Sequence, residues 1–160
     1  MPLPSQTKSL GSLLRRPYQA LQAHIYGALP KLGIHDIRVA HSAVLRNIDP
    51  EGARITVLAE RAGMTKQSMG YLVDALVSSG RLELRPDPSD GRAKLAVLTS
   101  SGQQAINVLL QVSADAEEVL AQRLGRDNLA TLRTLLDQAG QALDDWQPGQ
   151  APQPASPDPR

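Results

Sequence analysis

The sequence predicts a mainly α-helical fold carrying one β-hairpin, and three observations predict it. Apolar residues recur at helical spacing over most of residues 13–143. Leu, Ala, Val and Ile must form the core, since there is no Phe, one Trp and three Tyr, and this composition suits helices. Only "RLELR" (81–85) and "KLAVL" (94–98) read as strands. With 160 residues, the chain makes one domain with short appendages and is long enough to bury a core.

The elements follow in order. Leu14, Tyr18, Leu21, Ile25, Leu29 and Leu32 share one face of a first helix, Leu13 to Leu32. Pro17 falls early, where a helix tolerates it, while Pro30 and Gly33 mark the far end. A second helix is expected from about His35 to Asn47, with Ile37, Ala40, Val44, Leu45 and Ile48 on one side. "DPEG" (49–52) turns the chain. A short helix then ends at Gly63, although no Ser, Thr or Asp stands ready to cap it before Ile55. Thr65 can cap the next helix, in which Met69, Leu72, Val73 and Leu76 share a face. Lys66, Gln67, Gly70, Tyr71 and Asp74 lie on the other face, and Gly80 ends the helix.

Two short helices, a tight glycine turn and a polar first turn in the second helix make a helix-turn-helix. The hairpin that follows, with "RPDPSDGRAK" as a long polar tip, makes it a winged helix-turn-helix with a two-stranded β wing. Beyond it, Thr99 caps a helix of some 22 residues, about 33 Å long, running to "RLG". A last helix spans about Asp127 to Leu143 with Leu129, Leu132, Leu136, Ala139 and Leu143 in its stripe. A small winged core cannot cover these apolar faces. The N- and C-terminal helices are therefore read as dimerisation helices that pack against a second copy of the chain.

The net charge of +1 hides a split. Residues 1–53 carry six Lys/Arg against three Asp/Glu, and residues 54–100 carry seven against five. Residues 101–160 carry four against eight. A basic working half and an acidic remainder suit an anionic partner. Without cysteine the chain has no disulfide, no Cys-ligated zinc and no thiol redox chemistry. No apolar run approaches 18 residues and no signal peptide is evident, so a cytoplasmic protein without membrane contact is expected.

The stretch "LAERAGMTKQSMGYLVDALVSSGRLELRPDPSDGRAKLAVLTSSG" (58–102) resembles the MarR family of transcription regulators. The wing tip "DPSDGRAK" followed by "LT..G" is the most telling part, and the flanking helices fit the family's layout over roughly 11–145. The resemblance implies an obligate dimer with interlocked terminal helices and a recognition helix from each subunit in a DNA major groove. It also implies, for many members, a repressor released by a small, often aromatic, ligand. The expected organisation is a flexible N-terminus over 1–9 and a winged domain with dimerisation helices over 10–146. Within that domain the DNA-binding part is about 54–100. A disordered tail over 147–160 holds five of the twelve prolines.

The candidate DNA-binding residues are Thr65, Lys66, Gln67, Ser68, Gly70, Tyr71, Arg85, Asp90, Arg92 and Lys94. Lys66, Gln67 and Ser68 stand in the first turn of the recognition helix, where Gln can pair with adenine and Lys with guanine or phosphate. Gly70 keeps that face thin, and Tyr71 can bond a phosphate. By the resemblance, Arg92 of an Asp-x-Arg element enters the minor groove and Asp90 orients the loop or the Arg. A narrow minor groove attracts arginine. Arg85 and Lys94 are expected to meet phosphates from the base of the wing.

Tyr18, His35, Arg38 and His41 are candidate effector-pocket residues, the last three spaced by three along one helix. An anionic or aromatic effector suits them. Three His with no Cys and no ligand spacing argue against a metal site, and no cofactor is expected. A protein-interaction module on the same scaffold is the competing reading, and it predicts a wing without basic residues. An enzyme is not expected, because there is no phosphate loop, nucleophile elbow or carboxylate dyad. Together these readings give a homodimeric, sequence-specific regulator of double-stranded DNA.

Overall fold

The computed structural model describes residues 8–145. The chain divides into two compact units, residues 1–116 and 117–160. The expected flexible N-terminus falls largely on residues 1–7, and the Pro-rich tail on 147–160, both outside the described residues.

In the first unit, α1 spans Leu10–Ala28. Ser9 caps it, its hydroxyl accepting from the amide of Ser12 at 3.3 Å. The helix thus starts three residues earlier than expected, which puts Pro17 in its interior. There the ring cannot donate to the carbonyl one turn back. The far end also differs, since Leu29–Leu32 winds as a 3₁₀ turn that stops at Gly33 with φ +80°.

The expected second helix over His35–Asn47 is not formed as such. Val39–His41 is a 3₁₀ turn and α2, Ser42–Leu45, is a single α turn. The preceding residues are committed elsewhere. Asp36 takes a fork from Arg81, Nε to Oδ2 at 2.7 Å and Nη2 to Oδ1 at 2.8 Å. Arg38 is extended, and its amide donates to Nδ1 of buried His41 at 3.2 Å.

The short strand β1 (Ala53–Arg54) leads directly into α3 (Ile55–Arg61), which has no side-chain cap. After a turn through Gly63 comes α4 (Lys66–Ser78), then β2 (Leu82–Asp87) and β3 (Asp90–Leu98). The sheet has three antiparallel strands in the order β1-β3-β2, rather than two. The apolar patterns of 81–85 and 94–98 marked two strands, but the third forms from only two residues, too few to carry a pattern. Gly52, at φ +95°, allows the close pass, since a Cβ there would lie 2.7 Å from the carbonyl oxygen of Ala96.

Met69, Val73 and Leu76 of α4 are fully buried with Leu58 of α3, Leu29, Leu82 and Ala96. Burial of each large side chain contributes roughly 1.5–3 kcal/mol. This core sets α4 with its other face to solvent and fixes the root of the hairpin. The helix α5 (Ser100–Leu124) begins where the hairpin ends. Thr99 caps it by accepting from the amide of Gly102 at 3.1 Å, while its hydroxyl donates to the carbonyl of Gly80 at 2.6 Å.

The second unit comprises the last turns of α5 and α6 (Arg126–Asp144), joined at Gly125 with φ +88°. Arg133 pairs with Glu117 at 2.7 Å and Arg126 with Glu118 at 2.8 Å. No residue of α6 is buried, and Leu132, Leu135, Leu136 and Leu143 are exposed.

Candidate nucleic-acid interface

The first turn of α4 is open to solvent. Thr65 caps it, its Oγ1 accepting from the Ser68 amide at 3.2 Å and donating to the Ser68 hydroxyl at 2.9 Å. Lys66, Gln67 and Ser68 are all exposed. The free amides and dipole of this helix end favour negative charge beside them. Gly70 adds no side chain, and nothing lies within 4 Å of where its Cβ would be. Tyr71 is 67% exposed, and its hydroxyl accepts from Gln67 Nε2 at 3.2 Å. The Gln67 amide is thereby held along the helix with its oxygen free of any partner among the described residues.

The wing tip is shorter than the expected long loop and bonded within itself. The strands pair out to Asp87 opposite Asp90, leaving only Pro88 and Ser89 between them. Asp87 is buried and accepts from the Ser89 amide at 2.8 Å, the Ser89 hydroxyl at 2.7 Å and Arg54 Nε at 2.6 Å. The Ser89 bonds first, and Arg54 after them, bring its carboxyl down to about 2. Asp90 Oδ1 accepts from the Arg92 amide at 3.1 Å, so its carboxylate shapes the turn. The guanidinium of Arg92 is exposed and has no partner among the described residues. Lys94 is exposed opposite Pro86. Arg85 is also exposed, but its guanidinium bonds Glu83 on the same strand face, Nε to Oε1 at 2.8 Å.

Sequence reasoning missed Arg54 and Asp87. The turn "DPSD" does signal an Asp bonded to the amide two residues on. Nothing in the sequence signals Arg54, which stands 33 residues from Asp87.

The effector candidates are only partly brought together. His35, Arg38 and His41 do not share a helix face, because no α-helix spans 35–41. An open hollow of about 230 Å³ lies between α1, α2 and α5, and of the four candidates only Tyr18 lines it. Tyr26, Ser42 and Arg46 line it as well, over an apolar floor. The Tyr18 hydroxyl accepts from Gln22 Nε2 at 2.8 Å and from Arg46 Nη2 at 3.4 Å. Burial pushes the Tyr26 phenol up, against the pull of Ser42 and Arg46. Among the described residues no three His, Asp or Glu gather as a metal set, and no helix is long and apolar enough to cross a membrane.

A helix-turn-helix with an exposed second helix, a hairpin wing and long flanking helices defines a winged helix-turn-helix protein. Residues 35–93 match the family model described as the MarR family. The reduced form of MarR from E. coli superimposes with a TM-score of 0.73 at 27% identity, covering 84% of this chain and 98% of that one. The transcriptional repressor CouR bound to a 23-mer DNA duplex gives 0.71 at 22% identity, over 88% and 98% of the two chains. CouR from Rhodococcus jostii RHA1 bound to p-coumaroyl-CoA gives 0.70 at 22% identity, over 94% and 100%. At that lower identity the likeness is one of fold. No curated protein matches the chain. Over residues 35–93 the chain is similar to the MarR family, and its fold is that of the MarR structures.

Proposed function

We propose that the protein is a homodimeric, sequence-specific regulator of double-stranded DNA, acting as a ligand-responsive repressor on a pseudo-palindromic operator. The observation that carries this is the pairing of two exposed surfaces on one compact unit. The α4 first turn offers Lys66, Gln67 and Ser68, and the wing offers an exposed Arg92 whose guanidinium has no partner among the described residues. Thr65 and the helix end take phosphate, Gln67 and Lys66 read base edges, and Arg92 and Lys94 reach the backbone or minor groove. Tyr71 hands its hydroxyl to a phosphate once Gln67 turns to a base. Asp90 holds the turn beneath Arg92. Arg85 is the weakest of the set, since Glu83 must release it first.

Two copies would read half-sites about one helical turn apart, roughly 10 bp centre to centre. The exposed leucines of α1 and α6 support the dimer. The hollow of Tyr18, Tyr26, Ser42 and Arg46 suits a small aromatic or anionic effector, with Arg46 as its countercharge. CouR, of the same fold, is a repressor seen with DNA and with an acyl-CoA.

The test is a titration of the full chain against its own upstream DNA at two salt concentrations with competitor present. Tight binding with a steep salt slope and one protected palindrome is expected. No binding to any duplex at low salt would overturn the reading in favour of a protein-interaction module.

A further inference from the structure

The wing tip is tied to the start of the helix-turn-helix through one side chain. Arg54 ends β1 and is the residue from which α3 departs. Its guanidinium crosses to the tip, where it hydrogen-bonds two groups and faces a third. Nε donates to Asp87 Oδ2 at 2.6 Å, Nη2 to Ser89 Oγ at 3.3 Å, and Nη1 lies 3.7 Å from Asp90 Oδ2. Asp87 in turn accepts from the Ser89 amide and hydroxyl, and Asp90 accepts from the Arg92 amide. Charge-assisted hydrogen bonds therefore join Arg54 to Asp87 and Asp90 to the backbone of Arg92, and a 3.7 Å ion pair from Arg54 to Asp90 links the two. Such bonds are shorter and stronger than neutral ones, and the fork of a guanidinium fixes direction as well as distance.

We infer that Arg54 is a positioning residue that sets the wing's Arg92 at a fixed place relative to α4. The inference rests on the DNA-binding reading of Arg92, though the clasp itself does not. A free hairpin tip samples many orientations, and ordering it on DNA would cost affinity. The clasp removes that cost before DNA arrives. Arg54 acts through Arg92, so its value on DNA exists only while Arg92 is present. A purely structural role, or a phosphate contact of its own, would persist without Arg92.

The experiment uses the full chain with R54Q, S89A, R92A and the R54Q/R92A pair, each checked for folding by circular dichroism. The probe is a mixed-sequence DNA duplex long enough for two half-sites, at low salt. R54Q and R92A should each weaken binding by about tenfold, and the double variant should be no weaker than R92A. Losses that simply multiply would overturn the inference. The second arm needs no DNA. Amide exchange at Ser89 and Arg92 should quicken in R54Q and in S89A, with the α4 amides unchanged. Unaltered exchange at the tip would also overturn it. Should R54Q fail to fold, S89A removes two of the clasp's bonds, those of the Ser89 hydroxyl to Arg54 and to Asp87, and both arms are read on it. If the wild type ignores the duplex, the DNA-binding reading fails, and amide exchange alone decides the clasp.

Discussion

Gly102 shows how much one residue can fix. It lies in the first turn of α5, where alanine would ordinarily gain up to about 1 kcal/mol in helix propensity. Yet a Cβ there would stand 2.0 Å from the carbonyl oxygen of Arg81, a backbone atom that cannot step aside. The clash outweighs the propensity, so Gly102→Ala should cost roughly 3 kcal/mol in urea unfolding. A neutral or stabilised variant would show that the hairpin root does not pass so close to α5. Gln67 makes the opposite case, since its side chain supports no fold contact beyond the bond to Tyr71. Gln67→Ala should leave stability within about 0.5 kcal/mol of the wild type. In a selection from random duplexes it should relax preference at one base position per half-site. An unaltered preference would remove Gln67 from the reading set.

Among elements, the segment before α2 and the wing show where pattern and structure part. Ile37, Ala40 and Val44 carry a helical spacing, but Asp36 is forked to Arg81, and Arg81 Nη1 also donates to the Ser101 carbonyl at 2.9 Å. The Arg81 fork reaches Asp36 from 45 residues away and overrides a short periodicity. Arg81 lowers the Asp36 carboxyl to about 2, below its ordinary 3.8. A carboxyl depressed in the folded state adds stability that is fully present above about pH 4 and is lost as pH falls through about 2. The difference amounts to at most about 2 kcal/mol for this partly exposed pair. Asp36→Asn should therefore lower stability at pH 7 and flatten the acid limb of a stability–pH curve. Asp87, held down in the same range, leaves part of that limb in place. An acid limb unchanged in Asp36→Asn would sink the assignment. In the wing, Arg92→Ala should weaken binding to every sequence and flatten the salt dependence, and an unchanged slope would remove Arg92 from the interface.

On the scale of the whole molecule, the leucines exposed on α1 and α6 make the case for a second copy. Leu135 is 57% exposed and Leu13 53%. A two-fold interface counts each substitution twice. Leu135→Glu should forfeit about 1.5 kcal/mol or more per copy, weakening self-association at least roughly 100-fold in sedimentation equilibrium. DNA affinity should fall with it, because one subunit reads only half the operator. A wild type that sediments as a monomer at every concentration would end the dimer proposal.

The sequence alone determined what depends on near neighbours. Thr65 and Thr99 as caps, the buried stripe Met69–Val73–Leu76, the order helix-turn-helix then hairpin, and the solvent face of α4 all follow from spacings of a few residues. Tertiary structure decided whatever joins distant residues. It added β1 to the sheet, dissolved the helix expected over 35–47, closed the wing tip and moved the hollow onto Tyr26, Ser42 and Arg46. The Arg54–Asp87 and Arg81–Asp36 pairs span tens of residues. A periodicity reports which face of an element is apolar. It carries no signal for a charge that meets its partner only after the chain has folded back.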